Sequence, residues 1–175
     1  MLFRSEEDIR IRTEGLERET PGGWQVRVHE ISAGVVYDSG GVRITAVRVD
    51  HGDWKEAFGF RIDAAGRSFV ISGDTRSSAA LRAAAKGADI LVHEAYPEVR
   101  LAPEKRPGGE SWPAYMRAFH TSDFEVGALA AAAGVKQLVL HHLVRMQGTD
   151  AELIAGVRRG GYTGPVVIGK DLQRF

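Results

Sequence analysis

Apolar and polar residues alternate in short runs along the first half of the chain. Residues 24–31 (WQVRVHEI) and 42–49 (VRITAVRV) change character at nearly every step, the period of a half-buried strand. Ser39-Gly40-Gly41 separates the second run from a short VVYD run and predicts a hairpin turn. Residues 58–63 and 67–72 flank Ala64-Ala65-Gly66 in the same manner. The first half therefore predicts an antiparallel meander. Residues 1–23 are polar, end in Pro21-Gly22-Gly23, and read as a lead-in helix or a loose arm.

Beyond residue 72 the period changes. Asp74-Thr75 precedes RSSAALRAAAKGA, a predicted helix that stops at Gly87. ADILVHE follows as an apolar strand, so residues 68–94 read as a βαβ unit with parallel strands. Residues 97–111 are a polar loop, and 112–119 a short helix. Ser122-Asp-Phe-Glu125 and Thr149-Asp-Ala-Glu152 are capping boxes, each opening a helix that ends at glycine. VKQLVL (135–140) and PVVIG (165–169) read as the remaining strands of an α/β fold within one domain, 1–175.

Composition narrows the chemistry. Lys plus Arg and Asp plus Glu both number 23, so the whole domain carries no basic footprint for nucleic acid. The absence of cysteine excludes disulfides, thiolate metal sites and a cysteine nucleophile. No apolar run is long enough to span a bilayer, and the first residues carry no signal-peptide pattern; a cytoplasmic protein that does not engage a membrane is the expectation. Phosphate-loop and nucleophile-elbow spacings are absent.

Ligands of open α/β sheets sit beyond the carboxyl ends of the strands. Asp74 follows FVISG, His93 and Glu94 follow DILV, His141 and His142 follow QLVL, and His120 stands just before a capped helix. Histidine and carboxylate on one rim suit a borderline metal and general acid–base work near neutral pH. Each also has a plainer role. Asp74-Thr75 can be a helix N-cap, His93 a buried strand-end histidine, Glu94 a loop carboxylate and His51 a surface residue. In an extended chain the adjacent His141 and His142 face opposite ways, so only one is expected at the site.

In this order the segments VDHGDWKEAFGFRID, SGDTRSSAALRAAAKGADILVHEAY, His120-Thr121, LVLHHL and GKDLQRF resemble the second half of the metallo-β-lactamase fold hydrolases. The resemblance is closest to the branch of ribonuclease Z and the arylsulfatase-like phosphodiesterases, and it covers roughly residues 25–175. It implies the C-terminal half of an αββα sandwich, a mixed β-sheet with helices on one face. It also implies a metal-dependent hydrolase in which a metal-bound hydroxide attacks a phosphodiester or related small ester. The family uses two divalent metals, zinc above all, with manganese or iron as alternatives. By position, Asp74 resembles the carboxylate that bridges the metals and His142 a terminal ligand of one. His120 resembles the histidine that protonates the leaving group, with Glu94 as its orienting partner. His51, in the H-G segment, is a substrate-binding candidate.

The first-half signature H-x-H-x-D-H is absent from this sequence. Asp74 and His142 alone make two protein ligands, short of the three of a catalytic zinc site. The expectation is therefore a half-domain completed by self-association or by a separate first-half chain. The alternatives are a truncated half that does not turn over, or an interaction module using the sheet face left uncovered. The balanced charge of the domain does not favour RNA as its substrate.

Overall fold

The computed structural model describes residues 6–20, 22, 25 and 27–174. It divides into two compact units, Met1–Glu30 and Ile31–Phe175. The first carries helix α1 (Glu6–Glu14), which opens with Glu6, Glu7 and Asp8 beside its positive N-terminal end, a favourable pairing. The described residues of the strand expected over 24–31 are not in a strand: 25 and 27–31 are exposed coil, and 24 and 26 lie outside the described residues. Alternation marks a chain able to be half buried, but a strand also requires a partner edge, and here the VVYD run takes that place.

The second unit holds one seven-stranded sheet whose spatial order follows the sequence. Its strands are β1 (Gly34–Ser39), β2 (Val42–Arg48), β3 (Phe58–Ala64), β4 (Arg67–Ile71), β5 (Ile90–Ala95), β6 (Gln137–Leu143) and β7 (Val166–Ile168). Pairing is antiparallel from β1 to β4 and parallel from β4 to β7. Gly40 and Gly41 turn β1 into β2 with φ of 59° and 75°, the positive values that a tight two-residue hairpin needs.

Four helices belong to this unit: α2 (Ala79–Ala84), α3 (Trp112–Phe119), α4 (Asp123–Ala133) and α5 (Asp150–Arg159). Both predicted capping boxes are present, at Ser122/Glu125 and Thr149/Glu152. Helix α2 starts later than its sequence suggests. Ser78, not Asp74 or Thr75, is its N-cap, accepting from Leu81 N at 3.2 Å.

Register separates the two faces of the sheet. Val70, Leu91, Leu138 and Val166 lie side by side and enter the apolar core with Leu81 of α2, Val126 and Leu129 of α4 and Leu153 and Val157 of α5. The opposite row, Phe60, Ile71, Val92, Val139 and Val167, is also apolar, yet only Val139 among these is fully buried. The parallel arrangement brings the carboxyl ends of β4, β5 and β6 to one rim, and the candidate site lies there.

Candidate metal centre

Each element delivers its side chain to this rim for a local reason. After β4 the chain turns at Gly73, with φ of 61°; a Cβ there would stand 2.6 Å from the Phe58 carbonyl oxygen. Asp74 follows, half exposed, while Thr75 behind it is buried. The Thr75 N–H donates to Oε1 of Glu94 at 2.5 Å, and its carbonyl accepts from Thr121 Oγ1 at 2.5 Å. Asp74 is thus the exposed tip of a segment bolted to β5 and to the α3–α4 junction, not a helix cap.

Glu94 lies on β5 itself and is fully buried. Its N–H donates to Ser72 Oγ at 3.1 Å. Its second carboxyl oxygen, Oε2, lies 2.6 Å from Nδ1 of His120. Burial raises the Glu94 carboxyl, countered by the hydrogen bonds from His120 and Thr75. For His120, burial opposes the charged ring, but the Glu94 hydrogen bond and the charges of Glu94 and Asp74 outweigh it and raise the pKa. His120 reaches the rim because residues 120–123 lie along the end of β5. Tyr96 N donates to the Thr121 carbonyl at 3.1 Å, and Asp123 N donates to the Tyr96 carbonyl at 2.8 Å.

His142 arrives through an irregularity. His141 pairs with Glu94 and Leu143 with Ala95, so His142 is one extra residue in β6. It bulges with φ of 42°, a strained value for a non-glycine residue and one that turns it out of the strand. Its Nδ1 lies 3.5 Å from Asp74 Oδ1 and 3.9 Å from Glu94 Oε2. Asp74, His120 and His142 each offer one ligand-type atom, all within 4.8 Å of one another. Carboxylate and imidazole donors suit a divalent metal ion.

His51 joins the edge of this group. Its Nδ1 donates to the Phe119 carbonyl at 2.8 Å, and the Gly52 N–H donates to the Ala118 carbonyl at 3.0 Å. These two bonds cap the end of α3 and hold the His51 ring 5.5 Å from that of His120. The other two histidines of this unit, His93 and His141, lie outside the trio. His93 faces the core, donates from Nδ1 to the Glu94 carbonyl at 2.7 Å, and is driven by burial down to a pKa of about 4. Burial also lowers His141, with His142 adding to the effect. Thr75 and Thr121, which tie Asp74 to Glu94 and to the α3–α4 junction, carry no chemical signal of their own; their only sequence trace is their place beside Asp74 and His120.

The fold is an α/β one whose mixed sheet carries an Asp/His/His cluster at the carboxyl ends of its parallel strands. The chain belongs to the β-lactamase superfamily: the family model described as "Beta-lactamase superfamily domain" matches residues 7–143. It is 34% identical over 152 residues to ribonuclease Z of Mycobacterium tuberculosis strain H37Rv, covering 85% of this chain and 54% of that protein. It is 35% identical over 153 residues to ribonuclease Z of Mycobacterium sp. strain KMS, covering 85% and 51% respectively. The chain thus spans about half the length of these curated relatives. The metallo-beta-lactamase fold protein YhfI from Bacillus subtilis superposes with a TM-score of 0.59 at 24% identity, over 77% of this chain and 49% of that one. The short form of human tRNase Z gives 0.55 at 20% identity, over 79% and 43%. These two structures share its fold.

Proposed function

We propose that the chain is the C-terminal half of a metal-dependent hydrolase that cleaves phosphodiesters or related esters. The observation that carries this reading is the Glu94–His120 pair, at 2.6 Å, set beside Asp74 and His142. Asp74 and His142 would hold the metal, zinc first, and a bound divalent ion supplies Lewis acidity and an activated water.

The remaining chemistry belongs to the chain. Glu94 has both carboxyl oxygens engaged, by Thr75 and by His120, so it fixes the His120 ring instead of meeting substrate. With Nδ1 held by Glu94, Nε2 is the nitrogen of His120 left to give a proton to the departing oxygen. The Glu94 hydrogen bond and the nearby carboxylate charges raise the His120 pKa and so favour the ring that carries that proton. His51, tied through Nδ1, likewise keeps Nε2 for a substrate oxygen.

The relatives named ribonuclease Z favour a phosphodiester, and RNA is the nucleic acid their name implies. A first-half chain or a second copy of this one would complete the ligand set. The test is metal analysis combined with hydrolysis of a chromogenic aryl phosphodiester, for the chain alone and mixed with an H-x-H-x-D-H half. No turnover in the mixture with zinc, manganese or iron overturns the reading.

A further inference from the structure

We infer that in this chain by itself Asp74, His120 and His142 close on a single divalent cation, with His120 bound through Nε2 as a ligand. The inference rests on the reading above only in taking Asp74 and His142 as cation-facing; it changes the role of His120.

The geometry comes first. Donor atoms sharing a tetrahedral zinc ion stand about 3.3–3.5 Å apart, given bonds of roughly 2.0–2.1 Å. One ligand-type atom of each of the three residues lies within 4.8 Å of those of the other two, and Asp74 Oδ1 and His142 Nδ1 are 3.5 Å apart. Closing the group takes a movement on the order of 1 Å, which half-exposed side chains supply by rotation. The side chains of Asp74 and His142 are 40% and 47% exposed.

Coordination number points the same way. Two protein ligands hold zinc poorly, whereas three with one open position is the usual catalytic set. Among the described residues, this trio is the group of ligand-type side chains that meets at such distances. Glu94 is unsuited to be a further ligand, since Thr75 and His120 occupy its two oxygens.

The buried partner supplies the independent observation. A metal-bound histidine ordinarily gives its other ring N–H to a carboxylate, which fixes the tautomer and makes the ligand more basic. Glu94 stands in that relation to His120: fully buried, 2.6 Å from Nδ1, and leaving the Nε2 lone pair for a cation. The same nitrogen cannot hold a cation and deliver a proton. The isolated chain therefore binds an ion at the expense of its acid, and ligands from a complementary half would release His120 for proton transfer.

Cobalt(II) titration of the full chain, followed by visible absorption, tests this, with zinc affinities from calorimetry. One ion per chain and a tetrahedral-type spectrum are expected. Asp74→Asn, His142→Ala and His120→Ala should each weaken binding by more than the roughly 10–100-fold expected for Glu94→Gln, the loss of an outer partner. Wild-type affinity and spectrum in His120→Ala overturn the inference, as do two tightly held ions per chain. In case His120→Ala fails to fold, NMR of the cadmium-loaded wild-type chain gives a second reading. Scalar coupling between the metal and His120 Nε2 supports the site; coupling at His142 without it overturns it. Persistent metal binding of this kind with no hydrolysis in any reconstituted form would sink the hydrolase reading and leave the cation site standing.

Discussion

Nδ1 of His120 lies 2.6 Å from Oε2 of Glu94, although 26 residues separate them in sequence. The contact exists because the α3–α4 junction is stitched to the end of β5, through Tyr96 N to the Thr121 carbonyl and Asp123 N to the Tyr96 carbonyl. A buried carboxylate is costly without partners, and here the Thr75 N–H and the His120 ring satisfy it. The pair is the fixed centre about which the exposed Asp74 and His142 are arranged.

Asp74→Ala should abolish phosphodiesterase activity in a reconstituted enzyme while leaving the fold intact, because the side chain is half exposed and lies outside the apolar core. Initial rates and thermal unfolding check the two halves of this statement. A near-normal rate removes Asp74 from the chemistry.

Glu94→Gln should lower kcat roughly 10²–10⁴-fold, the contribution typical of a general acid–base group, with a much smaller change in KM. The amide can still accept from His120 but loses the charge that favours the protonated ring. A rise in KM with kcat preserved would assign Glu94 a role in substrate binding instead.

Stability should fall in acid through His93. The unfolded ring takes a proton near pH 6.5, whereas the buried folded ring resists until about 4. Between those values the unfolded state binds more protons, so stability drops as pH drops, by on the order of 3 kcal/mol. Urea unfolding across this window should show the slope, and His93→Gln should flatten it. An unchanged slope in the variant would place the acid sensitivity elsewhere.

Gly127→Ala should destabilise the protein by roughly 1–3 kcal/mol, the usual cost of forcing atoms into a packed contact. A Cβ at Gly127 would stand 2.1 Å from the Val157 carbonyl oxygen, where α4 crosses α5. Alanine favours helix by propensity, so a stabilised variant would show the crossing to be looser than this geometry requires.

Light scattering of the chain alone should give a dimer or larger species. On the face opposite the helical core the row Phe60, Ile71, Val92 and Val167 is apolar and partly exposed, and an uncovered apolar sheet face favours association. Ile71→Glu should shift the distribution toward monomer. A monodisperse monomer of the unaltered chain would count against self-association through this face.

Local signals were enough for most elements. Alternation marked β2 to β4, and the two capping boxes marked where α4 and α5 begin, because both depend on residues within a few positions of one another. That Asp74, Glu94 and the His141-His142 pair stand at one rim was also legible, since strand ends can be read from where apolar runs stop; the choice of His142 and the role of His120 came only with the family resemblance. Alternation misled at residues 25 and 27–31, where the missing ingredient was a partner strand. The late start of α2 was hidden for a related reason: Thr75 is tied to Glu94, a contact no local window contains.

By itself the sequence determined which residue types were available and the end of the sheet they would approach. Only the tertiary structure decided that His120 comes within 4.8 Å of Asp74 and His142, and that a one-residue bulge turns His142 to the rim. Periodicity is a property of neighbours along the chain, whereas a metal centre is made by atoms a few ångströms apart whose residues are separated by tens of positions. Their meeting depends on strand register and on how the α3–α4 junction closes over the end of β5, and both are set by packing of the whole unit.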